Sequence, residues 1–289
     1  MSDPAEPRLF VPPGHHYSSI PPRAEVERHL ARLAANPDGL AGIAIDREAM
    51  IELWRMLLPA MRDAPFGEEA REGLRYRYQN GAFSWGDGLM LQAMLRHLRP
   101  RRIIEIGSGW SSACMLDTVD LHLGGSARRG GAVELTCIEP FPELLHQTLG
   151  PDIEAVQVIT RPVQEVPPDA FAELEADDVL FIDSTHVLRT GSDVHYELTE
   201  ILPRLRDGVV VHLHDMFWPF EYPRAWSVNE CRAWNELYAV RALLCENPRW
   251  RILMFNDYLA KKARPLLAET CPDFLRNAGG GLWLRRLPA

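Results

Sequence analysis

The sequence predicts a doubly wound α/β sheet behind a helical N-terminal extension, and three observations carry that reading. From about residue 100 onward, short β-branched runs alternate with stretches of helical periodicity. The runs are continuously apolar, as in Val179-Leu180-Phe181-Ile182, which suits strands covered by helices on both faces. The first run also ends in a glycine-containing turn that opens a helix.

Composition narrows the class. The chain has 289 residues, 46% hydrophobic and 25% charged, enough apolar material for a sizeable core. A net charge of −9 argues against a general phosphate-backbone binder, so no nucleic-acid partner is expected. No apolar run approaches the roughly 18–20 residues of a membrane span, so no membrane is expected either. The start, Met1-Ser2-Asp3-Pro4-Ala5-Glu6-Pro7, lacks a basic region followed by an apolar one and does not read as a secretory signal. Five scattered cysteines (Cys114, Cys137, Cys231, Cys245, Cys271) form no CxxC pair and suit a reducing, cytoplasmic setting.

Residues 1–80 read as the helical extension and 81–289 as the sheet domain. Pro12-Pro13-Gly14 and Pro21-Pro22 break the first stretch. Helical spacing follows over 23–35 and 46–61, with Asp46 as N-cap and Ala49, Met50, Leu53, Leu57 and Leu58 as the apolar face. Strands are expected at 102–106, 133–138, 155–159, 179–183 and 208–214, with helices near 110–121, 142–149, 168–175 and 193–206 between them. These repeats imply right-handed crossovers. Two further runs, 251–255 and 281–284, lack a full crossover helix and suit an antiparallel pair closing one edge.

Ligands of such sheets lie beyond the carboxyl ends of the strands, where the order reverses. The first end reads Glu105-Ile106-Gly107-Ser108-Gly109-Trp110-Ser111-Ser112. Gly107 and Gly109 allow a tight turn and close approach of a ligand, although the same pair serves a plain strand-to-helix turn. A dinucleotide fingerprint wants a third glycine where Ser112 stands, which disfavours NAD. Glu105 is a poor neighbour for phosphate but can pair with a ligand's amino group. Glu139, at the end of the second strand, can accept from both hydroxyls of a ribose. Ribose, amine and no phosphate describe S-adenosylmethionine.

Glu105-x-Gly107-x-Gly109-x-Ser111 with the later acid resembles motif I and its partner in class I S-adenosylmethionine-dependent methyltransferases. Asp183-Ser184-Thr185-His186 and His212-Leu213-His214-Asp215 are similar to the branch holding small-molecule O-methyltransferases of antibiotic pathways and the cephalosporin hydroxylase-like proteins. The resemblance covers roughly residues 80–289. Gly14-His15-His16-Tyr17-Ser18 and Tyr78-x-Asn80-x-x-Phe83 also resemble uncharacterised bacterial members. Serine in place of the third glycine of that motif, at 111, and an insertion at 121–131 depart from the usual pattern. The resemblance implies a Rossmann-like sheet of seven strands, the last antiparallel. It implies cofactor contacts from Glu105, Gly107, Ser108, Gly109, Ser111, Ser112, Glu139 and Asp183.

Asp183 ends one strand and His214-Asp215 the next, with His186 three residues beyond Asp183. His212 lies on the same strand face as His214 and deeper, as a core histidine. Two mechanisms can use this cluster. In one, His186 takes the proton of an acceptor hydroxyl while Asp183 or Asp215 orients its ring. In the other, Asp183, His214 and Asp215 hold a divalent metal, for which related sugar and catechol methyltransferases imply a magnesium site. An imidazole in that set suits Zn, Fe or Mn better than Mg.

Trp218-Pro219-Phe220-Glu221-Tyr222-Pro223 is either a lid or a loop burying its own aromatics. Tyr78, Asn80, Phe83 and Asp87 are secondary candidates near the methionine end of the cofactor. Trp234-Asn235-Glu236 falls in an amphipathic helix running to about Glu246, where core packing is the expectation. His15, His16 and Tyr17 are candidates for covering the acceptor pocket, and Arg96–Arg102 reads as a solvated helix end. The expected activity is methylation of a small molecule or glycan, at oxygen. The rivals are an NAD-dependent oxidoreductase on a similar fold and a non-catalytic S-adenosylmethionine-binding scaffold. Oligomeric state stays open, with a homodimer through the extension as the arrangement similar enzymes imply.

Overall fold

The computed structural model describes residues 9–33, 36–125, 127 and 130–288. The opening Met1–Pro7 segment, the end of the helix expected at 23–35 and part of the 121–131 insertion lie outside them. Helices α1 (Arg23–Arg32), α2 (Arg47–Arg62) and α3 (Trp85–Leu98) precede the first strand. Asp46 caps α2 as expected, its Oδ1 accepting the Ala49 N–H at 2.9 Å. The buried face of α2 is Met50, Leu53, Trp54, Leu57 and Met61, with Leu58 half-buried against the same core and, of the expected face, Ala49 exposed. That stripe continues the hydrophobic cluster beneath the sheet.

The strands are β1 (Arg102–Ile106), β2 (Glu134–Ile138), β3 (Gln157–Ile159), β4 (Val179–Ile182), β5 (Val210–Leu213), β6 (Trp250–Phe255) and β7 (Leu282–Arg286). They form one seven-stranded sheet in the order β3-β2-β1-β4-β5-β7-β6. β7 runs antiparallel to both β5 and β6, the closing pair read from the tail. All four residues of β4 and all four of β5 are buried, as continuous apolar runs require.

The remaining helices are α4 (Trp110–His122), α5 (Glu143–Leu149), the short α6 (Asp193–Tyr196), α7 (Glu236–Leu244), α8 (Asn256–Lys262) and α9 (Arg264–Thr270). The expected helix at 168–175 is a tight helical turn, Pro168–Glu173, set off by the prolines at its start. The expected helix at 193–206 widens over Glu197–Ile201 and ends at Leu202–Arg204, where Pro203 removes a backbone donor. β3 is shorter than expected because Gly150–Ala155 coils ahead of it.

The order reverses between β1 and β4, which places the crevice for a ligand at their carboxyl ends. Hydrogen bonds run one residue past each strand, from Asp183 N–H to the Ile106 carbonyl at 2.8 Å and from His214 N–H to the Ile182 carbonyl at 2.9 Å. The strand tips that carry chemistry are therefore tied edge to edge. Among the described residues no helix is long and apolar enough to cross a membrane.

Candidate active site

The turn after β1 is built from inside. Glu105 is fully buried and accepts hydrogen bonds from the hydroxyls of Ser111 and Ser112 and from the Cys137 thiol. Ser112 Oγ in turn accepts the Gly109 N–H at 3.0 Å, closing the first turn of α4. Glu105 thus fastens the loop from below. The contact with a ligand amine expected of it is not open to a side chain with no exposure. Burial pushes the Glu105 carboxyl up to about 7, against the pull of the three donors.

Gly107 has φ of +80°, and a Cβ there would lie 1.8 Å from the Asp183 carbonyl oxygen. Only glycine allows β1 and β4 to meet this closely. Ser108 presents its N–H to Glu139 Oε2 at 3.2 Å, while Glu139 Oε1 accepts the Phe141 N–H at 2.8 Å. Glu139 is therefore held at the β2 tip against the glycine turn, where the sequence reading placed it.

The next tips bring Asp183, His186 and Asp215 together. His186 Nε2 lies 3.4 Å from Asp183 Oδ1 and 3.4 Å from Asp215 Oδ2. One ligand atom from each falls within 4.8 Å of the others, spacing compatible with a shared cation. His214, expected in that set, is drawn elsewhere. Its Nδ1 lies 3.3 Å from His212 Nε2, its ring 5.2 Å from Phe83, and its Nε2 3.6 Å from Asp215 Oδ1. The converging trio thus has His186 in the place foreseen for His214. His212 is a core histidine as expected, stacked on Phe181 at 4.1 Å.

The residue that sequence reasoning missed is Glu236. It opens α7, is 1% exposed, and its Oε2 lies 2.8 Å from His186 Nδ1. The preceding residues embrace the same histidine. Asn235 and Glu236 both donate their N–H to the His186 carbonyl, and Asn235 Oδ1 accepts the Leu188 N–H at 2.6 Å. The Trp234 ring stands 4.5 Å from the imidazole. Trp234-Asn235-Glu236 therefore clamps the site rather than simply packing the core.

Asp87, among the secondary candidates, is buried beneath His214 and Asp215, next to Gly279 and Gly280. A Cβ on Gly279 would lie 1.8 Å from Asp87 Oδ1, and one on Gly280 2.7 Å from Asp215 Cα. The signal for this was the run Gly279-Gly280-Gly281 before β7. Asn80 is occupied in its own turn with the backbone of Arg77, Ala82 and Phe83, and Tyr78 stacks on Trp85. The rings of His15, His16 and Tyr17 lean against one another at a tilt. Trp218, Phe220 and Tyr222 are buried, so that loop packs its own aromatics.

Burial lowers the affinity of His186 for a proton, but Asp183 and Glu236 more than reverse this and hold its pKa at about 11. Both ring nitrogens of His186 thus face carboxylates, Nδ1 toward Glu236 and Nε2 toward Asp183 and Asp215. Burial raises Asp183, yet His214 and His186 outweigh it and keep Asp183 low. Burial keeps Asp215 and Glu236 high, opposed in part by His214 and His186 respectively. Burial also lifts Asp87 to about 7. A pocket so rich in carboxyl groups suits a bound cation.

Residues 104–216 match a family model described as a methyltransferase domain. The match runs from β1 past Asp215 and so contains both strand-tip clusters. The seven-stranded order above is that of a Rossmann-like methyltransferase fold. Over 170 residues the chain is 29% identical to an Archaeoglobus fulgidus protein described as uncharacterized, covering 57% of this chain and 74% of that one. Among solved structures, it is similar to an S-adenosylhomocysteine-bound methyltransferase of Podospora anserina. That match has 16% identity, covers 97% of this chain and 100% of that one, and has a TM-score of 0.43. It is also similar to a Streptomyces achromogenes O-methyltransferase involved in tomaymycin synthesis, in complex with S-adenosylmethionine. There the identity is 16%, the coverage 92% and 96%, and the TM-score 0.42.

Proposed function

We propose that this protein transfers the methyl group of S-adenosylmethionine to a hydroxyl oxygen of a small molecule or glycan, in a cytoplasmic setting, with the aid of a divalent cation. The observation that carries the reading is the position of Asp183. Its carbonyl packs on Gly107 in the cofactor turn, while its carboxylate faces His186 and Asp215. Donor and acceptor sites would thus share one residue.

In this reading the turn from Gly107 to Ser112 cradles the cofactor and Glu139 accepts from its ribose hydroxyls. Asp183, His186 and Asp215 fit a cation by their donor chemistry: two carboxylates and an imidazole converge, with buried Glu236 behind the ring. Such an ion, when bound, would bind and acidify the acceptor oxygen. The protein's own contribution is alignment, since transfer from a sulfonium carbon needs an in-line approach. Trp234 and Trp226, half-buried with the Arg232 guanidinium over both rings, supply a wall beside His186 for the acceptor.

The test is transfer of isotope-labelled methyl from S-adenosylmethionine to a panel of hydroxylated small molecules and sugars, with and without chelator. Labelled product that disappears on chelation and returns with a divalent ion is the expected result. Transfer to nitrogen acceptors alone, or transfer unaffected by exhaustive chelation, would contradict the proposal.

A further inference from the structure

We propose that Glu236 is the positioning residue that makes His186 a metal ligand, and that the resulting site prefers a transition ion such as Mn²⁺ or Zn²⁺ over Mg²⁺. The inference rests on the cation reading above and adds to it a residue outside the strand tips.

A metal-ligating histidine almost always donates its other ring N–H to a partner that fixes the ring. Here Glu236 Oε2 sits 2.8 Å from Nδ1, so Nδ1 carries a hydrogen and Nε2 is the atom turned toward Asp183 and Asp215. The carboxylate is itself immobile: Glu236 is 1% exposed and lies at the first position of α7. The backbone on both sides is held as well. His186 has φ of +61°, a conformation few side chains adopt, and its carbonyl receives the N–H groups of Asn235 and Glu236. Asn235 also bonds both the N–H and the carbonyl of Leu188 through its side chain. Ring, backbone and following loop are thus all set by one tripeptide about fifty positions downstream. So much fixing is out of proportion for a histidine that merely fills space.

The preference of ion follows from the donor atoms. Two carboxylate oxygens alone would suit a hard ion that keeps most of its water. An imidazole nitrogen held in place by a buried carboxylate shifts the balance toward borderline ions.

The experiment is a titration of the full chain, saturated with S-adenosylhomocysteine, with Mn²⁺ followed by the electron spin resonance signal of the free ion. Wild type, Glu236→Gln and Glu236→Ala are compared, with affinity for S-adenosylhomocysteine as the check that each variant is folded. The expected result is one tight Mn²⁺ per chain that equal Mg²⁺ does not displace. The affinity falls by about tenfold in Glu236→Gln, which keeps an acceptor, and about a hundredfold in Glu236→Ala. In the Zn²⁺-bound protein, nitrogen-15 spectra should show His186 protonated at Nδ1 and ligating through Nε2, a signature lost in Glu236→Ala. If both variants bind Mn²⁺ like wild type and keep that signature, the role of Glu236 is refuted while the metal centre stands. Displacement by equal Mg²⁺ refutes the ion preference. If wild type binds S-adenosylhomocysteine but no Mn²⁺ or Zn²⁺, the cation reading fails, and the Glu236 proposal with it.

Discussion

A Cβ placed on Gly107 would fall 1.8 Å from the carbonyl oxygen of Asp183, so the glycine turn after β1 and the β4 tip touch with no room for a side chain. The first prediction follows directly. Gly107→Ala combines a positive φ, costing about 1–2 kcal/mol, with overpacking of about 1–3 kcal/mol. A thermal melt should show a destabilised protein, and calorimetry should show loss of S-adenosylhomocysteine binding. A variant with wild-type melting and affinity would mean that the turn has slack that this contact denies.

Asp183→Asn and Asp215→Asn remove charge from the two strand-tip carboxylates facing His186 without changing the shape of the trio. Turnover in either variant should fall at least ~100-fold, the scale of losing a positioned group at the reacting oxygen. Affinity for S-adenosylhomocysteine should stay within a few-fold. Steady-state rates beside calorimetric affinities separate the two effects, and full turnover in both variants would remove these carboxylates from the chemistry.

Glu105 predicts a pH dependence of stability. Its carboxyl titrates near 7 in the fold against a usual value of 4.5, so the folded protein holds a proton there that the unfolded chain releases. Stability from this group is therefore greatest below about pH 4.5 and is lost as pH rises toward 7, by ~3 kcal/mol at most. Glu105→Gln lacks the titration. Denaturation of both proteins at pH 5 and pH 8 should show the variant gaining on wild type at the higher pH; a constant difference would contradict the buried, proton-holding carboxyl.

Arg75 should matter to stability far more than its neighbours on the surface. It bonds Asp117, Asp120 and Asp152, and Asp117 is fully buried. Arg75→Ala strands part of that buried charge, although two backbone N–H groups still reach Asp117, and should cost about 2–4 kcal/mol in urea denaturation. Arg204→Ala, which breaks an exposed pair with Glu200, should cost below about 1 kcal/mol.

The parts legible in the sequence were those that local pattern dictates. The apolar run Val179–Ile182 announced a strand buried on both faces, Asp46 announced a helix cap, and Gly107 announced a turn that tolerates no side chain. The polar residues at the ends of β4 and β5 were legible because the fold brings those ends together. What pattern did not reveal was pairing across the chain. Nothing local to Trp234-Asn235-Glu236 distinguishes a carboxylate facing His186 from one on a solvated helix face. Glu105 misled for a related reason, since the hydroxyls of Ser111 and Ser112 consume it from one turn away. His214 misled because its ring is held between His212 and Phe83.

Calorimetric titration of the purified chain with S-adenosylhomocysteine, in parallel with Glu139→Ala, bears most directly on the account. Saturable binding at one site, weakened at least ~10-fold by loss of the carboxylate at the β2 tip, is the predicted result. A chain that folds yet evolves no binding heat at millimolar ligand, or binds equally well without Glu139, would contradict it.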